Sequence, residues 1–251
     1  MNRKWFFFST FILIVAFISI PLFLVVNGTV AVSVGPSTRI ITEQKFSKNF
    51  EKIRINIEAD IIIGQKDQDS VKIEASSNQT PRIKISQTSK TISIDNQNTP
   101  ALDIKLLTEE TRPKIFVYMK EATEIEINTK SKVEIQKYKI PSLKILFNSN
   151  GSLIADSIET ENLEITQTLA GFVSIKGTSD NLSLYSSNSS RTLLRFMPVK
   201  KASINSQGSG AIELNVTETL DVKIAGSSPI RYQGVPTITK EITGDGSLTS
   251  F

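Results

Sequence analysis

Short apolar-polar-apolar triplets recur through the second half of this chain at an almost constant interval, and that interval restricts the fold more than any single motif. They begin at Ile125, Leu143, Leu163, Leu182, Ala202 and Leu220, with a last start at Ile238, and the spacings are 18, 20, 19, 20, 18 and 18 residues. A second set begins at Leu153, Val173, Leu193, Ile212, Ile230 and Leu248, offset from the first by 10, 10, 11, 10, 10 and 10. A unit this short cannot close a core alone. Stacked about 4.8 Å apart, neighbouring units bury a continuous ladder of Ile, Leu and Val. The period therefore predicts an all-β domain with a β-solenoid or β-prism-like stack over residues 120–251, one turn per roughly 19 residues.

Glycine and asparagine fall where such a coil has to bend. Ser206-Gln207-Gly208-Ser209-Gly210 runs directly into the strand pattern Ala211-Ile212-Glu213-Leu214, and Asn150-Gly151, Gly226-Ser227 and Gly244-Asp245-Gly246 occupy equivalent places. A glycine-rich phosphate cradle needs a loop that enters a helix N-terminus with a following Lys-Ser/Thr. These glycines enter strands, so they read as corners. Before the repeat, period-two alternation in Phe50–Ile57, Val71–Ala75, Ile83–Ser86 and Ile92–Asp95, with turn residues between, predicts an antiparallel β meander over 46–119. Within it, 96–114 reads as a loop bracketed by Pro100 and Pro113.

The N-terminus carries a different signal. After Arg3 and Lys4, Trp5–Val26 is apolar except for Ser9, Thr10 and Ser19. At about 1.5 Å per residue it reaches roughly 33 Å, against roughly 30 Å for a hydrocarbon core. One N-terminal transmembrane helix within 1–28 is expected, anchoring the chain in the membrane with Arg3 and Lys4 in the cytoplasm. A cleaved signal segment is the alternative. Residues 29–45 then read as a linker, and 46–251 as an exported domain. The formal charge of +4, from 29 basic and 25 acidic residues, is spread along the chain, so no nucleic-acid partner is expected. Cysteine and histidine are both absent, which removes disulfides, thiol nucleophiles and the commonest metal ligand and general base. No cofactor and no metal site are expected.

Ser206–Leu214, Leu220–Ser227, Ile230–Pro236 and Thr243–Ser247 together resemble the C-terminal signature of the GIN domain, the head of autotransporter-type adhesins. The resemblance covers roughly residues 43–251, and its glycine signature is plainest in the last 50 residues. It implies a right-handed β stack at the cell surface or in the envelope, with no catalytic residues to carry over. With the GIN-like region running to Phe251, no translocator barrel is expected behind it.

A β-helix polysaccharide enzyme is the rival reading, since such folds host carboxylates on neighbouring coils. The middle residues of the first strand set give an outward column of Glu126, Lys144, Glu164, Ser183, Ser203 and Asp221, which reads as a solvated face of mixed charge. The clusters Asp156, Glu159, Glu161 and Asp67, Asp69 read as soluble loops. Among Tyr118, Tyr138, Phe147, Phe172, Tyr185, Phe196 and Tyr232, most share the parity of buried positions. Tyr138 and Tyr185 are the two expected to be exposed, as candidate ligand-binding residues. The expectation from sequence is a membrane-anchored, extracytoplasmic adhesion-like module without catalysis, whose partner is an envelope glycan or protein.

Overall fold

The computed structural model describes residues 22–26, 29–33, 39–47, 49–76, 82–97 and 112–251. Among them are twenty strands and no α-helix. β1 (Leu22–Val26), β2 (Thr29–Ser33), β3 (Arg39–Lys45), β4 (Lys52–Asn56), β5 (Asp60–Gln65), β6 (Ser70–Ser76), β7 (Ile83–Thr88), β8 (Thr91–Asn96) and β9 (Lys114–Met119) precede the repeat. β10 (Glu124–Ile127), β11 (Lys132–Ile135), β12 (Tyr138–Lys139), β13 (Ser142–Phe147), β14 (Ser152–Gln167), β15 (Phe172–Ser186), β16 (Arg191–Ser206), β17 (Ile212–Ile224), β18 (Pro229–Gln233), β19 (Thr237–Ile242) and β20 (Ser247–Ser250) build it.

Parallel pairing stacks one aliphatic residue on the next. On the first side, Ile92, Ile53, Ile125, Ile145, Ile165, Leu184, Ile204 and Val222 form one inward column, each essentially sealed from water. On the second side the column is Ile115, Ile61, Val133, Leu153, Val173, Thr192, Ile212, Ile230 and Leu248. In β14 the inward alternation Leu153, Ala155 is interrupted before Ile158 and again before Leu163, with a bulge between Ala155 and Ile158. Two interruptions in one strand bend it twice, so each coil has three sides, with Ile158 facing inward on the third. The chain makes six such turns from Ile125 to Lys240.

The structure corrects several expectations. Residues 46–119 are not a simple antiparallel meander, because β4 and β5 are themselves levels of the stack. β10 lies parallel on one edge of β4 and β8 on the other; β11 and β9 flank β5 in the same way. Alternation reports which face is buried and is silent on strand direction. Antiparallel pairing is confined to the covering layer. β7 closes the edge of β8, β6 closes β9, and β3, β2 and β1 extend outward from β6. The stretch expected as a linker thus holds two paired strands. Most of the expected transmembrane helix lies outside the described residues; its last five, Leu22–Val26, form β1. No helix among the described residues is long and apolar enough to cross a membrane.

The repeat register holds with two local slips. Ile125 aligns with Ile145 rather than Leu143, and Val173 aligns with Thr192 rather than Leu193. Thr192 is buried because it belongs to a polar patch in the core at the corner between the first two sides. Its hydroxyl donates to Gln167 Oε1 at 2.7 Å, and Gln167 Nε2 donates to the Gly171 carbonyl at 2.8 Å. Ser186 bonds Ser190 at 2.6 Å, Ser206 donates to Ser228 at 2.7 Å, and Ser228 donates to the Gly208 carbonyl at 3.0 Å. The Ser206–Gly210 turn is therefore a corner with a satisfied polar lining. Its glycines permit close stacking of backbones: a Cβ on Gly210 would sit 1.7 Å from the Ser190 carbonyl oxygen, and one on Gly208 1.9 Å from that of Asn188.

Candidate functional site

The outer face of the first side carries a continuous register through every level from β4 to β19. Side chains there alternate with the inward Ile and Leu residues, so each column outside follows the same parallel register as the core. One column reads Lys52, Glu124, Lys144, Glu164, Ser183, Ser203, Asp221, Thr239. Glu124, not Glu126, stands under Lys144, because the first repeat is shifted by two residues from the expected alignment. Glu126 belongs to the next column, with Arg54, Leu146, Thr166, Tyr185, Asn205 and Lys223.

The charged half of this face is tied together. Lys52 Nζ lies 2.8 Å from Glu124 Oε1 and 2.6 Å from Glu126 Oε2; Arg54 Nε lies 3.0 Å from Glu126 Oε2. Lys144 Nζ lies 2.8 Å from Glu164 Oε1. Burial of Glu126 favours its neutral form, but hydrogen bonds from Asn128, Lys52 and Arg54 outweigh that and bring its pKa down to about 2. The bond to Glu164 raises the Lys144 pKa in turn. At the edge of the face an amide ladder runs along the stack. Asn56 donates to Asp95 at 2.6 Å, Asn128 to Asn56 at 2.9 Å, Asn148 to Asn128 at 3.1 Å and Thr168 to Asn148 at 2.7 Å. Both ladders fix side chains that would otherwise be mobile.

Beyond Glu164 charged side chains are sparser and hydroxyls fill the column at Ser183 and Ser203. A shallow groove of about 440 Å³ runs across five coils, lined by Lys144, Glu164, Ser183, Lys201, Ser203 and Asp221 among others. Tyr185 stands in the adjoining column, half-buried, its hydroxyl donating to Gln207 Oε1 at 3.1 Å. A flat, ordered row of hydroxyl, amide, cation and ring groups can bind an extended polar chain by many small contacts. For acid/base chemistry it is poorly disposed. Glu124 and Glu126 converge only on Lys52, and no three His, Cys, Asp or Glu residues group as a metal site among the described residues.

The two tyrosines singled out from sequence part company. Tyr185 lies on the outer face, half-buried rather than fully exposed. Tyr138 is fully buried, with its hydroxyl donating to the Ala122 carbonyl at 2.7 Å, and burial followed by the charge of Asp69 raises its pKa well above the usual phenol value. Parity misplaced it because β12 lies on the third side, after a bend that resets the alternation. Of the other five aromatics weighed from sequence, Phe147 alone is sealed in the core; Phe196 is the most exposed at 60%, with Arg195 over its ring at 4.7 Å. Asp69 is no soluble loop residue either. Its buried carboxylate accepts the backbone N–H of Phe50 at 2.8 Å and of Lys120 at 2.7 Å.

A three-sided β-solenoid capped at one end by antiparallel strands, with flat polar walls, defines the class. The profile of the GIN domain, described as "putative auto-transporter adhesin, head GIN domain", matches residues 49–236. The chain belongs to the GIN domain family. Its fold is shared by a "putative adhesin" from Bacteroides fragilis NCTC 9343, with TM-score 0.76 and 21% identity over 84% of this chain and 97% of that one. A "putative lipid binding protein" from Parabacteroides distasonis ATCC 8503 has TM-score 0.69 and 23% identity over 86% and 98% of the two chains. A second protein from that strain, a "putative adhesin", has TM-score 0.64 and 16% identity over 84% and 97%. No curated protein matches the chain in sequence.

Proposed function

We propose that this chain is a membrane-anchored, extracytoplasmic adhesion-like module of the cell envelope that binds its partner on the outer face of the first side and performs no catalysis there. The observation that carries this reading is the ordered column from Lys52 to Asp221, in which the glutamates are held by cations and a shallow groove follows. Such a surface offers repeated donors and acceptors at the coil spacing of about 4.8 Å. That repeat suits an extended polysaccharide of the envelope, and Tyr185 supplies a ring for a sugar face. Membership of a family described as adhesin heads agrees with it. The apolar run ahead of β1, Trp5–Pro21, is the proposed anchor; its seventeen residues reach about 25 Å at about 1.5 Å each, and the solenoid would then stand outside the membrane.

The test is retention of envelope polysaccharide fractions by the full chain in neutral detergent, compared with Tyr185→Ala and Lys144→Glu. Each substitution should weaken retention about tenfold, the equivalent of about 1.4 kcal/mol. Unchanged retention in both would remove the first side as the binding face. Turnover of a polysaccharide by the chain, lost in a carboxylate variant of the same face, would favour the enzyme reading instead. Protease protection of intact cells tests the orientation, since an extracytoplasmic solenoid is cut from outside.

A further inference from the structure

Away from the first side, an open cleft of about 980 Å³ lies where the covering strands meet the stack. Its lysines come from four separate segments: Lys45 at the end of β3, Lys66 after β5, Lys120 after β9, and Lys137 and Lys139 around β12. Against these five stand Glu43, Asp67 and Glu121, so the lining carries an excess of two positive charges, half of the formal +4 of the whole chain. Coil stacking does not call for this convergence, and like charges gathered in one place oppose it.

The cleft is also built on a rigid base. The buried Asp69 carboxylate ties the β5–β6 loop to Phe50 and Lys120. Gln65 bridges the same region, donating to the carbonyls of Lys120 at 3.0 Å and Lys139 at 2.9 Å and accepting from the Lys139 N–H at 2.9 Å. Lys66 is held over the Tyr118 ring at 3.4 Å. Lys139 is occupied by Glu159 at 3.1 Å, and Lys120 leans on Glu121 at 3.7 Å. Among the described residues Lys45 and Lys137 form no ion pair, and the ring under Lys66 leaves its charge uncancelled.

We propose that this cleft binds a phosphate monoester, with Lys45, Lys66 and Lys137 as the residues that hold it. With Lys139 held by Glu159 and Lys120 by Glu121, the cations left to a ligand are Lys45, Lys66 and Lys137, and three such charges suit a phosphomonoester of roughly −1.5 to −2 at neutral pH. The cations are all lysines, which act on phosphate as compact point charges. Planar, two-pronged recognition of a carboxylate calls for the arginine fork, which no residue of this lining provides. The site lies off the first side and stands independently of the adhesion reading.

Calorimetric titration of the full chain in neutral detergent with glucose 6-phosphate, and with glucuronate as the carboxylate counterpart, tests this directly. Glucose 6-phosphate should bind, weaken as salt is raised, and lose about tenfold or more in affinity in the Lys66→Gln/Lys137→Gln double variant. Lys144→Gln, on the first side, should leave that binding unchanged. Flotation with phosphatidylcholine vesicles, with and without phosphatidic acid, separates the sources of the phosphate. Capture by phosphatidic acid alone, sensitive to the double variant, identifies a lipid headgroup, whereas binding of the soluble ester identifies a site open to sugar phosphates. Absence of binding in both arms, equal affinity for glucuronate, or indifference to the double variant when its thermal unfolding is unchanged would overturn the proposal.

Discussion

At the scale of single residues, charges on the outer face of the first side hold one another in ion pairs. Glu126 shows the balance. Its ordinary pKa of about 4.5 falls to about 2 in the folded chain because three donors outweigh the effect of burial. A carboxyl whose pKa is depressed by folding stabilises the fold above its unfolded value and loses that contribution as pH falls through the folded one. Melting temperature should therefore drop between about pH 4.5 and pH 2, and Glu126→Gln should flatten that part of the profile; the contribution is on the order of 1 kcal/mol after solvent screening. Gly210→Ala tests the other kind of residue. Its Cβ meets a backbone carbonyl that cannot move without unstacking a coil, so chemical denaturation should show a loss on the order of 3 kcal/mol or more. That glycine and its corner were legible in the sequence, since only Gly permits such approach. Tyr138 was not, because a residue's parity counts only from the last bend, and the bend before β12 leaves no mark in composition.

At the scale of elements, the two ends of the stack are treated differently. The end at β8 and β9 is covered by β7 and β6, which remove the open edge that invites pairing with another chain. At the opposite end, no strand lies beyond β19 and β20 among the described residues. There the inward aliphatic column that runs from Ile92 to Val222 ends on Lys240, which is solvent-exposed. Val235 is 95% exposed nearby, and Ile238 and Phe251 are partly open. An inward-pointing charge at an edge opposes addition of a further strand, because pairing would bury it. Lys240→Val should therefore let two chains associate through this end, seen as concentration-dependent growth in sedimentation velocity, while the wild-type chain shows none. The period of the triplets placed Lys240 in the right strand from sequence alone. What it could not say was that the opposite end is closed, because that closure uses strands from 22–88, far from the repeat.

At the scale of the whole molecule, a stack in which each coil touches only its neighbours loses stability toward its ends. Backbone amide exchange should be slowest in β13, β14 and β15, which have coils on both sides, and fastest in β19 and β20; hydrogen exchange with mass spectrometry reads this gradient, and uniform protection along the chain would contradict it. The strongest determinant in the sequence was the period near 19 residues. Because a parallel stack repeats the same inward positions at every level, the period by itself determined the all-β class, the solenoid and most of its register, and the lack of histidine and cysteine narrowed the chemistry. Only the tertiary structure decided the rest. Alternation has no direction, so it could not show that β4 and β5 are inner levels flanked by strands from both later segments. Bends reset parity, so Thr192 replaced Leu193 in the core and Tyr138 left the surface. The five lysines of the cleft are separated by as many as 94 positions in the chain, and no local pattern marks residues that meet only because a covering sheet folds back against the coil.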